Sequence, residues 1–223
     1  MSASSKPVVL VLGATGETGQ HVVSSLLNRG IGVRAVVRSV AKARSIEGDG
    51  VELFVTDLLD DFDEARLTSG VSAVISTLGT RNTIDRADIE AVEYIAIGHV
   101  IELAKGSGIA QFVLMSSIGV EHPDNFPLFS YLLQVKRKTE WFLIRSELPY
   151  TIVRVGSLVN NPPLNRVRIG RGDTIQGQIT RQDAAAVLVQ TLFQDGALNQ
   201  VVEVVNDEHG VPIDQPSLFL PGN

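Results

Sequence analysis

The hydrophobic positions of this chain follow two alternating rhythms. Continuous apolar runs of about five residues are followed by stretches whose apolar residues recur three or four apart. The first run, Val8 to Leu12, needs burial on both faces and reads as a central parallel strand. A helical pattern containing Val22, Val23, Leu26 and Leu27 follows, ended by Gly30 and Gly32. Strands are then predicted at Val33–Val37, Val51–Val55, Val71–Ser76, Gln111–Met115, Tyr150–Arg154 and Val201–Val205. Between them lie helices at Val40–Ile46, Asp61–Leu67, Ala87–Lys105, Phe129–Ser146 and Gln182–Phe193. Residues 160–172, rich in Pro, Asn and Arg, read as loop, and Thr174 to Gln176 as a small strand. Alternation of this kind predicts an α/β fold: a doubly wound parallel sheet of the Rossmann type in a single domain over residues 1–223. Residues from about 155 onward form a small substrate-side region of it.

The junction between the first strand and the first helix carries a glycine turn, Gly13-Ala14-Thr15-Gly16-Glu17-Thr18-Gly19. Gly13 permits a tight exit from the strand, Gly16 lets backbone N–H groups approach a pyrophosphate, and Gly19 lets the helix sit close to the sheet. The helix N-terminus adds partial positive charge. Strand, glycine turn and helix in this order predict dinucleotide binding.

Composition narrows the field. The chain has 223 residues, no cysteine and a net charge of −6. There is no thiol nucleophile, disulfide frame or thiolate metal site, and the four histidines lack metal-ligand spacing. The acidic balance argues against nucleic acid or anionic membrane as partner, leaving a small-molecule substrate. The polar start, Met1 to Pro7, lacks the apolar core of a signal peptide, so a cytoplasmic location is expected. No extended apolar surface demands assembly, so a monomer or weak homo-oligomer is expected.

The remaining candidates cluster at predicted strand ends. Arg38, Ser39 and Lys42 end the second strand, where an acidic residue would select NAD(H) and a basic one suits the 2′-phosphate of NADP(H). NADP(H) is therefore preferred over NAD(H). Asp57 can accept from an adenine amino group while Leu58 packs on the ring. Thr77, Leu78 and Gly79 would pass close to ribose and diphosphate. Arg81 could neutralise phosphate, reach the substrate or remain solvated. At the fifth strand, Ser116 and Ser117 can place a hydroxyl against a carbonyl oxygen that gains charge. Lys136 could hold a nicotinamide ribose, and the backbone at Val155, Gly156, Ser157 and Leu158 its carboxamide. Ser117 and Lys136 are the catalytic candidates; no metal ligand is expected.

Together these residues resemble the atypical short-chain dehydrogenase/reductase family, in its small single-domain branch. The resemblance covers nearly the whole chain. GATGETG looks like that branch's phosphate turn, KRKTEWFLIRSELPYTIVRVGSL its lysine helix, strand and glycine loop, and ITRQDAAAVLVQTL its late helix. LGTRN, from Leu78 to Asn82, is similar to a loop of the biliverdin reductase B and flavin reductase proteins; NmrA-like sensors share the glycine head. The family's ketoreductases carry Tyr-x-x-x-Lys. If Lys136 is that lysine, Leu132 holds the tyrosine position. Tyr131 is adjacent but rotated by about 100° on a helix. The resemblance also implies that His99 replaces an asparagine and Glu147 a glycine. A positive φ at Glu147 would cost about 1 kcal/mol.

Three functions follow as expectations. The first is an NADPH-dependent reductase for a planar acceptor such as a flavin, quinone or bilin. The second is a carbonyl or enone reductase with Tyr131 or water as acid. The third is a non-catalytic NADP(H)-binding sensor or assembly factor.

Overall fold

The computed structural model describes residues 7–216, 218 and 219; the polar start at residues 1–6 lies outside them. Apolar runs that cannot tolerate water on either side set the architecture. The chain runs β1 (Val8–Leu12), α1 (Glu17–Asn28), β2 (Gly32–Val37), α2 (Val40–Ala43), β3 (Val51–Val55), α3 (Glu64–Thr68) and β4 (Val71–Ser76). It continues through α4 (Arg86–Glu90), a π turn (Ala91–Ile95), α5 (Ala96–Ala104), β5 (Gln111–Ser117), α6 (Ser130–Arg145) and β6 (Tyr150–Val155). It ends with β7 (Ser157–Val159), β8 (Arg166–Gly170), β9 (Gln178–Thr180), α7 (Arg181–Gln190), β10 (Gln200–Asn206) and β11 (Val211–Pro212).

Nine of these strands form one sheet in the order β3-β2-β1-β4-β5-β6-β10-β8-β11. The strands from β3 across to β10 are parallel; β8 joins β10 antiparallel, and β11 joins β8 likewise. This is a single-domain Rossmann-type α/β fold. Alternate residues of β1 serve opposite cores: Val9 and Val11 meet Val22 and Leu26 of α1 and Ala185 and Leu188 of α7. Leu10 and Leu12 meet Ile97 and Val100 of α5 and Leu143 of α6. The strand is apolar throughout because both of its faces are covered.

Three stretches differ from the sequence reading. The expected helix Ala87–Lys105 is split by the π turn, so its register changes where it passes the crevice described below. Residues 160–172 are not all loop: Arg166–Gly170 alternates, with Val167 and Ile169 buried, and pairs with β10. Its two arginines and the preceding Pro and Asn masked a period-2 strand. Thr174 to Gln176 is not a strand, because the amides of Thr174 and Ile175 donate to the buried carboxylate of Glu203 at 3.0 and 3.3 Å. The strand begins later, at Gln178, and pairs with β7 in a separate two-stranded sheet.

Two features of the α6–β6 connection set local stability. Arg154 of β6 is buried and chelated by Glu140 of α6, with contacts of 2.7 and 3.1 Å, and it reaches Glu121 at 2.6 Å. Burial works against its charge, but the hydrogen bonds and charges of Glu140 and then Glu121 outweigh it, so Arg154 stays protonated above its ordinary range. Glu147 sits at the helix exit with φ of 65°, a left-handed conformation that glycine adopts without strain.

Glu147→Gly should therefore raise stability by about 1 kcal/mol, seen as a melting midpoint higher by roughly 2–4 °C. Arg154→Met should cost about 3–5 kcal/mol in urea denaturation, since it strands the Glu140 carboxylate. Adding Glu140→Leu should recover most of that loss. Equal instability of the single and double variants would contradict the pairing argument.

Candidate functional site

The strand order reverses at β1: β2 and β3 lie on one side of it and β4, β5 and β6 on the other. Connections leave toward opposite faces at this point, and a crevice opens beyond the carboxyl ends of β1 and β4. It encloses about 830 Å³.

The glycine turn forms its floor. Gly13 has φ of +76°, and a Cβ there would lie 2.9 Å from the backbone of Thr77 and Leu78. At Gly19 a Cβ would lie 2.1 Å from the carbonyl oxygen of Gly13, so only glycine lets α1 start this close to β1. Gly16 occupies the N-cap of α1 without a side-chain cap, leaving the first-turn amides to an external acceptor. Thr15 lines the crevice beside Gly13 and Gly16. Thr18 and Gly19 are buried beneath it, and Glu17 points away to pair with Arg181 at 2.9 Å.

One wall comes from β2 and β3. Arg38 and Lys42 line the crevice, are exposed, and have no ion-pair partner among the described residues. Ser39 is the extended N-cap of α2. Asp57 and Leu58 close this wall. One Asp57 oxygen accepts from the Leu59 amide at 3.1 Å. His99 of α5 braces it, with Nδ1 at 3.2 Å from the Leu58 carbonyl and Nε2 at 3.0 Å from Glu64. His99 thus has a packing role.

The opposite wall is the exit of β4. The Thr77 hydroxyl donates to the Leu12 carbonyl at 3.1 Å, joining the two strand ends. Leu78, Gly79 and Arg81 line the crevice, with Arg81 exposed. Sequence reasoning missed what holds this loop. The Thr80 amide donates to Glu93 at 2.9 Å, and the Thr80 hydroxyl contacts Asp88. Glu93 is buried, and its other oxygen lies 2.8 Å from Lys136 Nζ. A signal was present: Glu93 occupies an apolar helical position, spaced with Ile89, Ile97 and Val100, where a carboxylate demands a partner.

The catalytic candidates lie outside the residues that line this crevice. The Ser117 hydroxyl donates to the Ile118 carbonyl at 3.0 Å. The Ser116 hydroxyl is buried with no hydrogen-bond partner, as is that of Ser76. Arg137 and Lys138 form ion pairs with Glu121 and Glu90. The Tyr131 hydroxyl donates to Glu90 at 3.1 Å, and Arg86 lies over its ring. Partial burial, then the hydrogen bond and charge of Glu90, raise its pKa above the ordinary value. Val155 is buried in β6. In the backbone expected beside a carboxamide, the Gly156 and Ser157 amides donate at 3.0 Å each to the carbonyls of Val204 and Gly177. Ser157 and Leu158 belong to β7, which pairs with β9 in the small second sheet.

A dinucleotide fits this donor set. The cradle under Gly13 and Gly16 admits backbone but no side chain, uncapped amides face outward, and two exposed cations, Arg38 and Lys42, stand at one end. Among the described residues no helix is long and apolar enough to cross a membrane.

Known proteins agree with this geometry. A chloroplastic protein of Arabidopsis thaliana is 34% identical over 88% of this chain and 76% of its own. The photosystem II assembly factor Ycf39 of Trieres chinensis is 33% identical over 66% of this chain and 44% of its own. Sanguinarine reductase of Eschscholzia californica is 27% identical over 94% and 92%. A solved Bacillus halodurans protein, assigned to the NAD-dependent epimerases/dehydratases, is 29% identical, covers 93% of this chain and 97% of its own, and superimposes with a TM-score of 0.85. The NAD(P)H-binding family model matches residues 13–195, from the first glycine of the turn to beyond α7, and the chain belongs to that family.

Proposed function

We propose that this chain is an NADPH-dependent reductase that passes hydride to a planar acceptor such as a flavin, quinone or bilin. The observation that carries this reading is that, among the described residues, Lys136 pairs with Glu93 and no phenol hydrogen-bonds to it. Leu132 stands four residues before it, and the neighbouring Tyr131 hydroxyl is spent on Glu90. A ketone needs an acid at its oxygen as hydride arrives. A conjugated planar acceptor spreads the charge and takes its proton from solvent. The similarity to sanguinarine reductase supports reductase chemistry.

When bound, the reduced nicotinamide supplies the hydride. The rest is orientation and electrostatics by the chain. The uncapped first turn of α1, with Thr15 and Gly16, receives the pyrophosphate. Arg38 and Lys42 hold the 2′-phosphate, and Ser39 adds a hydroxyl beside them. Asp57 accepts from the adenine amino group against Leu58, while Thr77, Leu78 and Gly79 lie along the ribose and Arg81 faces the phosphates or the acceptor. Lys136 places its cation near the nicotinamide ribose, and Ser117 rotates away from Ile118 to donate to the acceptor. The chain acts as a monomer or weak oligomer in the cytoplasm.

A second reading, assembly or sensing without turnover, draws on the likeness to Ycf39. NADPH oxidation measured against FMN, biliverdin, a quinone and an aromatic aldehyde separates the two. Turnover is expected with at least one of the first three and not with the aldehyde. Tight NADPH binding without oxidation of any acceptor would overturn the reductase reading in favour of the second.

Two variants sharpen it. Tyr131→Phe should keep more than about half of the turnover, because its hydroxyl serves Glu90; its loss would restore the ketoreductase alternative. Arg38→Asp should weaken NADPH binding roughly ten- to a hundredfold, the worth of one or two charge-assisted hydrogen bonds, with NADH little changed. Equal weakening of both cofactors would remove Arg38 from the 2′-phosphate site.

A further inference from the structure

Glu93 is a buried carboxylate with two different obligations. One oxygen accepts from the Thr80 amide at 2.9 Å, in the loop that lines the crevice. The other meets Lys136 Nζ at 2.8 Å, on the neighbouring helix α6. Its own carbonyl accepts from the Thr139 hydroxyl at 2.7 Å, so α6 grips the residue twice. Lys136 has a side-chain exposure of 16% and Glu93 of 2%, which makes this a largely desolvated pair.

The backbone around Glu93 is built for this reach. Asp88 and Glu93 both hold Thr80, one at its hydroxyl and the other at its amide. They are five residues apart, which an unbroken α-helix would set about 140° apart around its axis. The π turn from Ala91 to Ile95, closed by the Ala96 amide on the Ala91 carbonyl, supplies the extra residue that brings both carboxylates to one target. Gly79 completes the contact: a Cβ there would lie 3.4 Å from the Glu93 carboxylate.

We propose that Glu93 is a positioning residue of the dinucleotide site. Its carboxylate holds the Gly79–Thr80 wall and the Lys136 cation in one frame, and the π turn aims it there. This rests on the reading of the crevice as an NADPH site, but not on turnover. Lys136 neutralises the Glu93 carboxylate buried behind that wall, so the pair contributes order rather than net charge to the site.

The test is a double-mutant cycle read as NADPH affinity, by titrating cofactor fluorescence, with melting midpoints recorded alongside. Glu93→Gln keeps an oxygen for the Thr80 amide and removes the charge that holds Lys136. It should weaken NADPH binding about tenfold, and Lys136→Gln by a similar factor. The double variant should be no weaker than the worse single one, because each acts through the other. Glu93→Asp, which withdraws the carboxylate but keeps its charge, should fall between wild type and Glu93→Gln. It replaces Glu93→Gln in the cycle if that variant fails to fold. An affinity within about twofold of wild type in folded Glu93→Gln, or in Glu93→Asp where it takes that variant's place, would overturn the proposal. So would losses that multiply in the double variant. A wild-type chain that does not bind NADPH would overturn both this assignment and the cofactor reading. One that binds NADPH but reduces no acceptor would remove only the reductase reading, with the cycle still deciding the role of Glu93.

Discussion

Where β1 and β4 end side by side, the chain has no room for a side chain between them. A Cβ on Gly13 would press on the backbone of Thr77 and Leu78, and one on Gly19 would collide with the Gly13 carbonyl. That closeness brings the α1 N-terminus, the exit of β4 and, through the sheet, the ends of β2 and β3 around one crevice. The two strand ends are also joined chemically, by the Thr77 amide and hydroxyl on the Leu12 carbonyl. The contact is local in space but spans more than sixty residues of sequence, so it forms only when the central sheet is assembled. The floor of the crevice follows from this packing, while its Gly79–Thr80 wall is held in addition by Glu93.

Beyond the sheet, the loops are organised by buried carboxylates. Glu93 holds Thr80 and Lys136; Glu140 holds Arg154; Glu203 accepts from Thr174 and Ile175. Asp183 accepts from the amides of Leu164 and Asn165, from Asn206 and from the Thr180 hydroxyl. Each is nearly inaccessible to water. A carboxylate in that position is strongly destabilising unless its lone pairs are filled, so each forces its loop into one arrangement. The chain after β6, where β7, β8, β9 and β11 are short, draws order from Glu203 and Asp183. The glycine turn between β1 and α1 draws its order from close backbone packing. The crevice sits where the two regimes meet.

The contrast explains what was legible in the sequence. Central strands such as Val8–Leu12 and Val71–Ser76 are apolar on both faces and announce themselves, and the glycine turn declares its close contacts because no other residue fits. The positive φ of Glu147 was foreseeable from the resemblance, which implies a glycine at that position. Strand β8 was not, since Arg166 and Arg168 alternate with its apolar residues and only Val167 and Ile169 carry the pattern. The π turn left no propensity signal, because it is imposed by the partners of Asp88 and Glu93 rather than by the residues within it. For the same reason the commitment of the Gly156 and Ser157 amides could not be read locally: their acceptors, Val204 and Gly177, lie elsewhere in the chain.

The chemistry narrows by the same accounting of partners. An acid for carbonyl reduction must present a proton to the substrate, and a base or cation must support it. Here the phenol nearest Lys136 in sequence donates to Glu90, and Lys136 itself is held by Glu93. Both groups are satisfied within the protein, so reaching a substrate oxygen would mean breaking a hydrogen bond and a desolvated ion pair. Hydride transfer to an acceptor that manages its own proton asks for neither. What it asks for is a cofactor held rigidly at a fixed wall, and that is the property that the glycine cradle and the Glu93 frame provide together.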